Sequence, residues 1–326
     1  MSNVCLVTGA NGHLGNNLVR ELLQAGEKVR AGVRDMNNIG MFDGLNCDIV
    51  YTEMQDKDAM ARALKGVDIL YHVAAVFKHW AKNPEEEIVR PNVIGTEVVL
   101  EAAAHAKVKK IVYVSSVAAV GHNGELLNES CWNDEMSNAY YRSKIQSEKR
   151  AWELAKKHNL WMVTVLPSAM IGPHASALTD TMQFVETIKK NKLSVNPNFF
   201  FNFVDVRDVA KGMHAAINRG ESGNRYILAN KGSSSLSDIV NIANKKEPHF
   251  KLPPAVPKWL LYTIAWCLEW MASVTGKSAE LTRSQVELFY GIRQEYDISK
   301  AQFELGYDPR SPSSALADAF NYLGER

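Results

Sequence analysis

Two residues one helical turn apart carry the first chemistry in this chain. In Tyr140-Tyr141-Arg142-Ser143-Lys144 a phenol and an ammonium stand at i and i+4, so on a helix they share a face. A carbonyl that accepts hydride needs a proton donor beside the oxygen that gains charge. Phenol ordinarily titrates at about pH 10, and an ammonium beside it favours the phenolate and brings that value down. Tyr141 has Ile145 at i+4 and cannot take the same role. Ser115 and Ser116 follow the apolar run 111–114, which puts a hydroxyl at a strand end where it can donate to a developing oxyanion.

Three glycines form a second constellation. Gly9, Gly12 and Gly15 lie between the apolar run 4–7 and the helical pattern Leu14, Leu18, Leu22, Leu23. A strand, a tight turn and a helix N-terminus in that order receive a pyrophosphate on free N–H groups. Gly9, Asn11, Gly12, His13, Leu14 and Gly15 are therefore the candidate cradle of a dinucleotide. The next strand, at 29–33, ends in Arg34-Asp35. A guanidinium there forks onto a ribose 2′-phosphate, whereas a carboxylate accepts from the ribose hydroxyls. Arg34 thus favours NADP as cofactor, and Asp35 keeps NAD open.

Positioning these groups takes an α/β frame. Apolar runs at 4–7, 29–33, 49–51, 68–73, 111–114 and 161–166 alternate with helical periods, among them 58–65 and 139–158. The alternation predicts a Rossmann-type doubly wound parallel sheet. Beyond Pro167 the rhythm loosens, with short strands expected near 200–204 and 225–228. We therefore expect a dinucleotide-binding domain over 1–166 and a smaller, discontinuous C-terminal substrate lobe over most of 167–326. The stretch 203–217 is expected to return to the first domain.

Composition narrows the partners. With 37 basic against 36 acidic residues the net charge is +1, and no basic block speaks for nucleic acid. Cys5, Cys47, Cys131 and Cys267 lack metal or disulfide spacing. Together with a first strand beginning at residue 4, they lead us to expect no metal, no leader and a cytoplasmic setting. The most apolar segment, 259–274, is interrupted by Glu269 and falls short of the roughly 20 residues of a membrane span. Its stripe Trp259, Tyr262, Trp266, Trp270 is expected to pack on the substrate lobe or on a partner in a homodimer, with peripheral membrane contact the alternative.

The spacing Gly-x-x-Gly-x-x-Gly followed by Tyr140-x-x-x-Lys144 resembles the short-chain dehydrogenase/reductase superfamily. Ser116 with Gly121 is similar to the Ser-x-x-x-x-Gly of its extended members. The resemblance implies Ser116, Tyr140 and Lys144 as the catalytic set, with Tyr140 and Lys144 also touching cofactor. It adds Asn92, in Pro91-Asn92-Val93-Ile94-Gly95-Thr96, as support for the site. Glu53-Met54-Gln55-Asp56 stands where relatives carry Asp-Leu-x-Asp beside adenine, which implies Glu53 and Met54 as cofactor neighbours. Ala74, and Pro167, Met170 and Ile171 around Leu166-Pro167-Ser168-x-x-x-Gly172-Pro173, complete that set.

The run Glu129-Ser130-Cys131-Trp132-Asn133-Asp134, with Ser143, Glu148, Lys149 and Trp152, resembles the dihydroflavonol 4-reductase and cinnamoyl-CoA reductase branch. That likeness implies an NADPH-dependent carbonyl reductase, or an alcohol dehydrogenase in reverse. Plant dihydroflavonol reductases carry an Asn where this chain has Gly121, which argues against a flavonoid substrate. Phe77, Trp80, the aromatic run 199–203 and the 259–270 stripe suggest an apolar or aromatic carbonyl compound. Three alternatives stand beside this reading. A nucleotide-sugar epimerase or dehydratase would use tightly held NAD, and Arg34 and Ala169 speak against it. A 3β-hydroxysteroid-type dehydrogenase fits the apolar segment. A non-catalytic NADP sensor would not need both Tyr140 and Lys144.

Overall fold

Seven apolar runs become strands of one parallel sheet because each of its faces is covered by helices. The computed structural model describes residues 2–325 apart from 79, 247, 248, 277, 278 and 280, with Lys246 described by its backbone only. The strands are β1 (Val4–Thr8), β2 (Lys28–Val33), β3 (Asp48–Tyr51), β4 (Ile69–His72), β5 (Lys110–Val114), β6 (Met162–Pro167) and β7 (Arg225–Leu228). In β1, Cys5 and Val7 join one apolar cluster while Leu6 joins the other. Alternation with both sides buried is what a parallel sheet requires. The strand order is β3-β2-β1-β4-β5-β6-β7, all parallel. Its reversal between β1 and β4 opens a crevice at the carboxyl ends of the strands.

On one face lie α1 (His13–Gln24) and α6 (Val206–Arg219), where Leu14, Leu18 and Leu22 share a core with Val209 and Met213. The other face is covered by α2 (Lys57–Leu64), α3 (Arg90–His105) and α4 (Ala139–Lys157), through Met60, Leu64, Val99, Leu100 and Leu154. The remaining helices build the second lobe. Met182 of α5 (Asp180–Lys189), Ile239 of α7 (Leu236–Lys246) and Leu316 and Phe320 of α10 (Pro312–Glu325) close around Phe203. Leu261 and Ala265 of α8 (Lys258–Thr275) meet Val286 of α9 (Arg283–Phe289) and Phe199.

Three local outcomes differ from the sequence reading. The run 225–228, left among the short strands of the C-terminal half, is the edge strand β7 of the central sheet. The run 200–204 is two strands, because fully buried Asn202 is tied to the 230–232 segment. Its amide donates to the Asn230 and Gly232 carbonyls at 2.8 and 3.0 Å and accepts from the Asn230 N–H at 3.0 Å. Phe200–Phe201 therefore pairs with Ser234–Ser235, and Phe203–Asp205 with Ala169–Ile171. Finally, of the places expected for the aromatic stripe of α8, the lobe is the one the structure rules out: the stripe faces outward, and the opposite side of the helix is the buried one.

Two buried histidines stay neutral in this fold. His13 Nε2 donates to the Gly172 carbonyl at 3.0 Å, and burial brings its pKa down to about 4. At the end of β4, the Thr8 hydroxyl accepts from the Val73 and Ala74 N–H groups, so its own hydrogen goes to His72 Nδ1 at 2.9 Å. Burial, and secondarily the charge of Lys144, lower His72 to about 3. Both bind a proton more readily when unfolded, so their stability contribution is complete above about pH 6.5 and is lost as pH falls toward those values. The expected loss at pH 5 is about 2 kcal/mol per histidine. His72→Gln should remove that share from the pH 7-to-5 decline measured by denaturant unfolding; an unchanged decline contradicts the assignment.

Candidate active site

Backbone contact shapes the glycine turn. Gly9 has φ +65°, and a Cβ on it would stand 2.9 Å from Ala74 Cα, so the chain leaving β4 lies directly on the glycine turn. A Cβ on Gly15 would collide with the Gly9 carbonyl oxygen, which lets α1 start against that turn. The Gly12 N-cap supplies no side-chain hydrogen bond. The first N–H groups of α1 are thus left for an anion.

From this turn a single cleft of about 950 Å³ runs across the sheet edge into the second lobe. Gly9, Asn11, Gly12, His13, Leu14, Gly15, Arg34, Glu53, Met54, Ala74, Ser116, Tyr140, Lys144, Pro167 and Met170 all line it. Asn92 and Ile171 do not. Ile171 is fully buried in the core of the second lobe, with its backbone in the ladder to Asp205. Asn92 accepts from the Val76 N–H at 2.7 Å and donates to the Val76 and Ile88 carbonyls at 3.0 and 2.9 Å. Its amide laces the cleft-lining segment 73–77 to α3, so it positions the wall without touching the cleft.

Asn138 caps α4, accepting from the Tyr141 N–H at 3.1 Å, and so aims the first turn of the helix at the cleft. Tyr140 Oη lies 3.4 Å from Ser116 Oγ, which also accepts from the Ala118 N–H at 3.1 Å. With two donors directed at its oxygen, the Ser116 hydroxyl keeps its own hydrogen for a ligand. Phe77 meets the Tyr140 ring edge-on, with centroids 5.0 Å apart. Burial pushes the Tyr140 phenol up to about 12 and brings Lys144 down to about 8. The sequence reading expected Lys144 to lower the phenol; here burial dominates, the Ser116 hydrogen bond is what opposes it, and Tyr140 holds its proton at neutral pH.

The nucleotide end fits a dinucleotide on this chain's own donors: a glycine cradle, an uncapped helix N-terminus and an outlying guanidinium. Residues 5–229 match the NAD dependent epimerase/dehydratase family. The chain belongs to that family. It is 34% identical to a putative dihydroflavonol 4-reductase of Synechocystis, over 99% of this chain and 95% of that protein. It is 30% identical to sterol demethylase protein B of Methylococcus capsulatus, over 98% of each. The crystal structure of gox2253 superposes with a TM-score of 0.83 at 32% identity, covering 99% of this chain and 98% of that one. Within this family the chain is an NAD- or NADP-dependent oxidoreductase of the dihydroflavonol-reductase-like branch of extended short-chain dehydrogenase/reductases.

The branch's Glu-Ser-Cys-Trp run acquires a physical reason here. Glu148, one turn after Lys144 on α4, is fully buried and accepts from Arg225 Nε at 2.7 Å and Nη2 at 3.1 Å. It also accepts from the Ser115 hydroxyl at 2.6 Å and from Thr164 at 3.1 Å. Arg225 Nη1 donates to the Glu129 and Cys131 carbonyls, both at 2.7 Å, and the Trp132 ring covers the guanidinium at 3.9 Å. The sequence reading missed Arg225, 77 residues from its partner, and missed Thr8. Only the apolar setting of a lone arginine in β7 could have flagged it. Breaking such a pair from one side leaves a buried charge. Arg225→Ala should cost about 3–5 kcal/mol in denaturant unfolding, and Glu148→Gln/Arg225→Met less; a loss under about 1 kcal/mol for Arg225→Ala contradicts this.

Proposed function

We propose that this family member reduces the ketone or aldehyde group of an apolar, ring-bearing compound with NADPH. The observation that carries the reading is the place of Tyr140 and Ser116, at the junction of two unlike halves of one cleft. One half holds the glycine cradle and Arg34. The other is walled by Phe184, Phe199, Phe201, Leu261, Leu268 and Phe289. Such walls take an apolar body, with polar groups confined to the reacting end.

Arg34 supports NADPH over NADH. Its side chain is 76% exposed, the Glu53 carboxylate is 4.0 Å away, and it makes no hydrogen bond among the described residues. Asp35, the competing carboxylate, accepts from the Asn37 N–H at 2.9 Å. The guanidinium thereby remains available to fork onto a 2′-phosphate.

When bound, the dinucleotide supplies a hydride from C4 of its nicotinamide. Tyr140 gives its proton to the carbonyl oxygen, and the Ser116 hydroxyl donates a hydrogen bond to the same oxygen as charge develops. Lys144, cationic below about pH 8, stabilises the phenolate that Tyr140 leaves behind. The aromatic walls suit a steroid-like ketone, and Lys192, Gln285 and Gln294 add polar groups to the same cleft. The relative named sterol demethylase protein B supports a steroid-like ketone.

Three outcomes test the proposal on a panel of aromatic aldehydes, cyclic ketones and steroid ketones. Tyr140→Phe should lower turnover by about 10²–10⁴-fold while NADPH still binds by fluorescence titration; retained turnover contradicts the role of Tyr140. Arg34→Ala should raise KM for NADPH about tenfold or more and leave KM for NADH nearly unchanged, and equal effects remove Arg34 from the phosphate site. The wild-type reduction rate should be level near neutrality and fall above about pH 8 as Lys144 loses its proton. A rate that rises through that range contradicts the cationic role.

A further inference from the structure

The outer face of α8 serves no purpose that the cleft explains. Leu261, Ile264 and Leu268 on its inner side line the cleft. On the opposite side Trp259, Tyr262, Trp266 and Trp270 recur at steps of three and four residues, which holds them in one narrow arc. Trp259, Trp266 and Trp270 are 69, 53 and 62% exposed, with exposed Met271 and Val274 beside them. A continuous stripe of this kind exceeds the scattered apolar residues of an ordinary surface.

Cations stand on and beside the segment that leads into α8. The Lys251 N–H donates to Asn191 Oδ1 at 3.2 Å, and the Asn196 N–H to the Pro254 carbonyl at 2.8 Å, so the segment bearing Lys192 runs beside the one leading into α8. The Phe250 N–H donates to Asn244 Oδ1 at 2.8 Å, which brings the end of α7 with Lys245 beside Lys251; Lys245, Lys251 and the cleft-lining Lys192 are exposed and form no ion pair among the described residues. Lys258 and Arg283, by contrast, pair with Glu287 and Glu269 at 2.6 Å each.

An apolar helix face can meet a second copy or a bilayer. A two-fold contact would bring each unpaired lysine rim toward its own copy, a repulsive arrangement. Anionic headgroups complement the same rim. The stripe is built mainly of tryptophan and tyrosine, whose rings are apolar with a polar edge and settle at the boundary between acyl chains and headgroups. No described helix is long and apolar enough to cross a membrane.

We propose that α8 docks on an anionic lipid surface, with Trp259, Trp266 and Trp270 at headgroup depth and Lys245 and Lys251 against lipid phosphates. The inner side of the same helix walls the apolar half of the cleft. A carbonyl compound dissolved in the lipid then reaches Tyr140 past a single helix. That last step rests on the reductase reading; the docking does not.

The test is cosedimentation of the full chain with phosphatidylcholine vesicles, with and without phosphatidylglycerol, at low salt. Binding should require the anionic lipid and shift tryptophan emission to the blue. Trp266→Ala/Trp270→Ala and Lys245→Glu/Lys251→Glu should each weaken it by at least about tenfold, with unchanged thermal melts. None of these four residues lines the cleft, so reduction of a water-soluble aldehyde should stay at the wild-type rate. Absence of binding to either vesicle, equal binding by the variants, or a dimer in sedimentation velocity that Trp266→Ala/Trp270→Ala dissolves would each overturn the proposal. Vesicle binding without carbonyl turnover would strike the reductase reading and leave the docking intact.

Discussion

A carboxylate with no exposed surface holds this site in register. Glu148 lies on the helix that carries Tyr140 and Lys144; Arg225 of β7 pairs with its charge, and the hydroxyls of Ser115 after β5 and Thr164 of β6 bond to it. Each compensating partner fixes something else. The bond from Ser115 sets the turn that presents Ser116, and the bond from Arg225 seats the 129–132 segment under the Trp132 ring. Tyr140 and Ser116, 24 residues apart in sequence, thus meet at 3.4 Å through the burial of a third group. Isolated buried ion pairs contribute little net stability, but their directional demands are strict. Strict geometry is what proton transfer to one defined oxygen needs.

The second lobe contributes to the nucleotide end as well as to the apolar end. Beyond β6 the chain returns over the glycine turn. His13 and Asn17 of α1 donate to the Gly172 and Pro173 carbonyls, and the Ser176 hydroxyl donates to the Asn11 carbonyl at 2.6 Å. The segment 172–176 therefore roofs the cradle with backbone held by neutral side chains. Burial keeps His13 uncharged, so the N–H groups of α1 face the cradle without a histidine cation beside them.

How much of this was legible in the sequence follows from distance along the chain. Groups whose partners lie within one turn or one strand end were visible: the glycines, Arg34 at the end of β2, and Tyr140 with Lys144 on one helical face. The alternating period of the apolar runs gave the parallel sheet. Contacts between distant segments left no local signal. Nothing near Arg225 announces Glu148, nothing in 200–204 shows that Asn202 will bond to the 230–232 segment, and Asn92 reads as a cap or a relay until its bonds to Val76 are seen. The orientation of α8 was ambiguous because both of its sides are apolar, and helical spacing cannot say which one a fold will bury. The direction of the Tyr140 shift was lost for a related reason: desolvation depends on the whole surround, and spacing reveals only the neighbouring charge.

In the proposed reduction, one cleft brings a hydride donor and the Tyr140 proton to the same carbonyl. The deciding measurement uses NADPH deuterated at the transferring position of nicotinamide C4, incubated with the carbonyl panel. The expected result is alcohol product with deuterium on the former carbonyl carbon and one equivalent of NADP formed per alcohol. Deuterium absent from every product, or retained in the cofactor while a substrate is interconverted without net reduction, would contradict it.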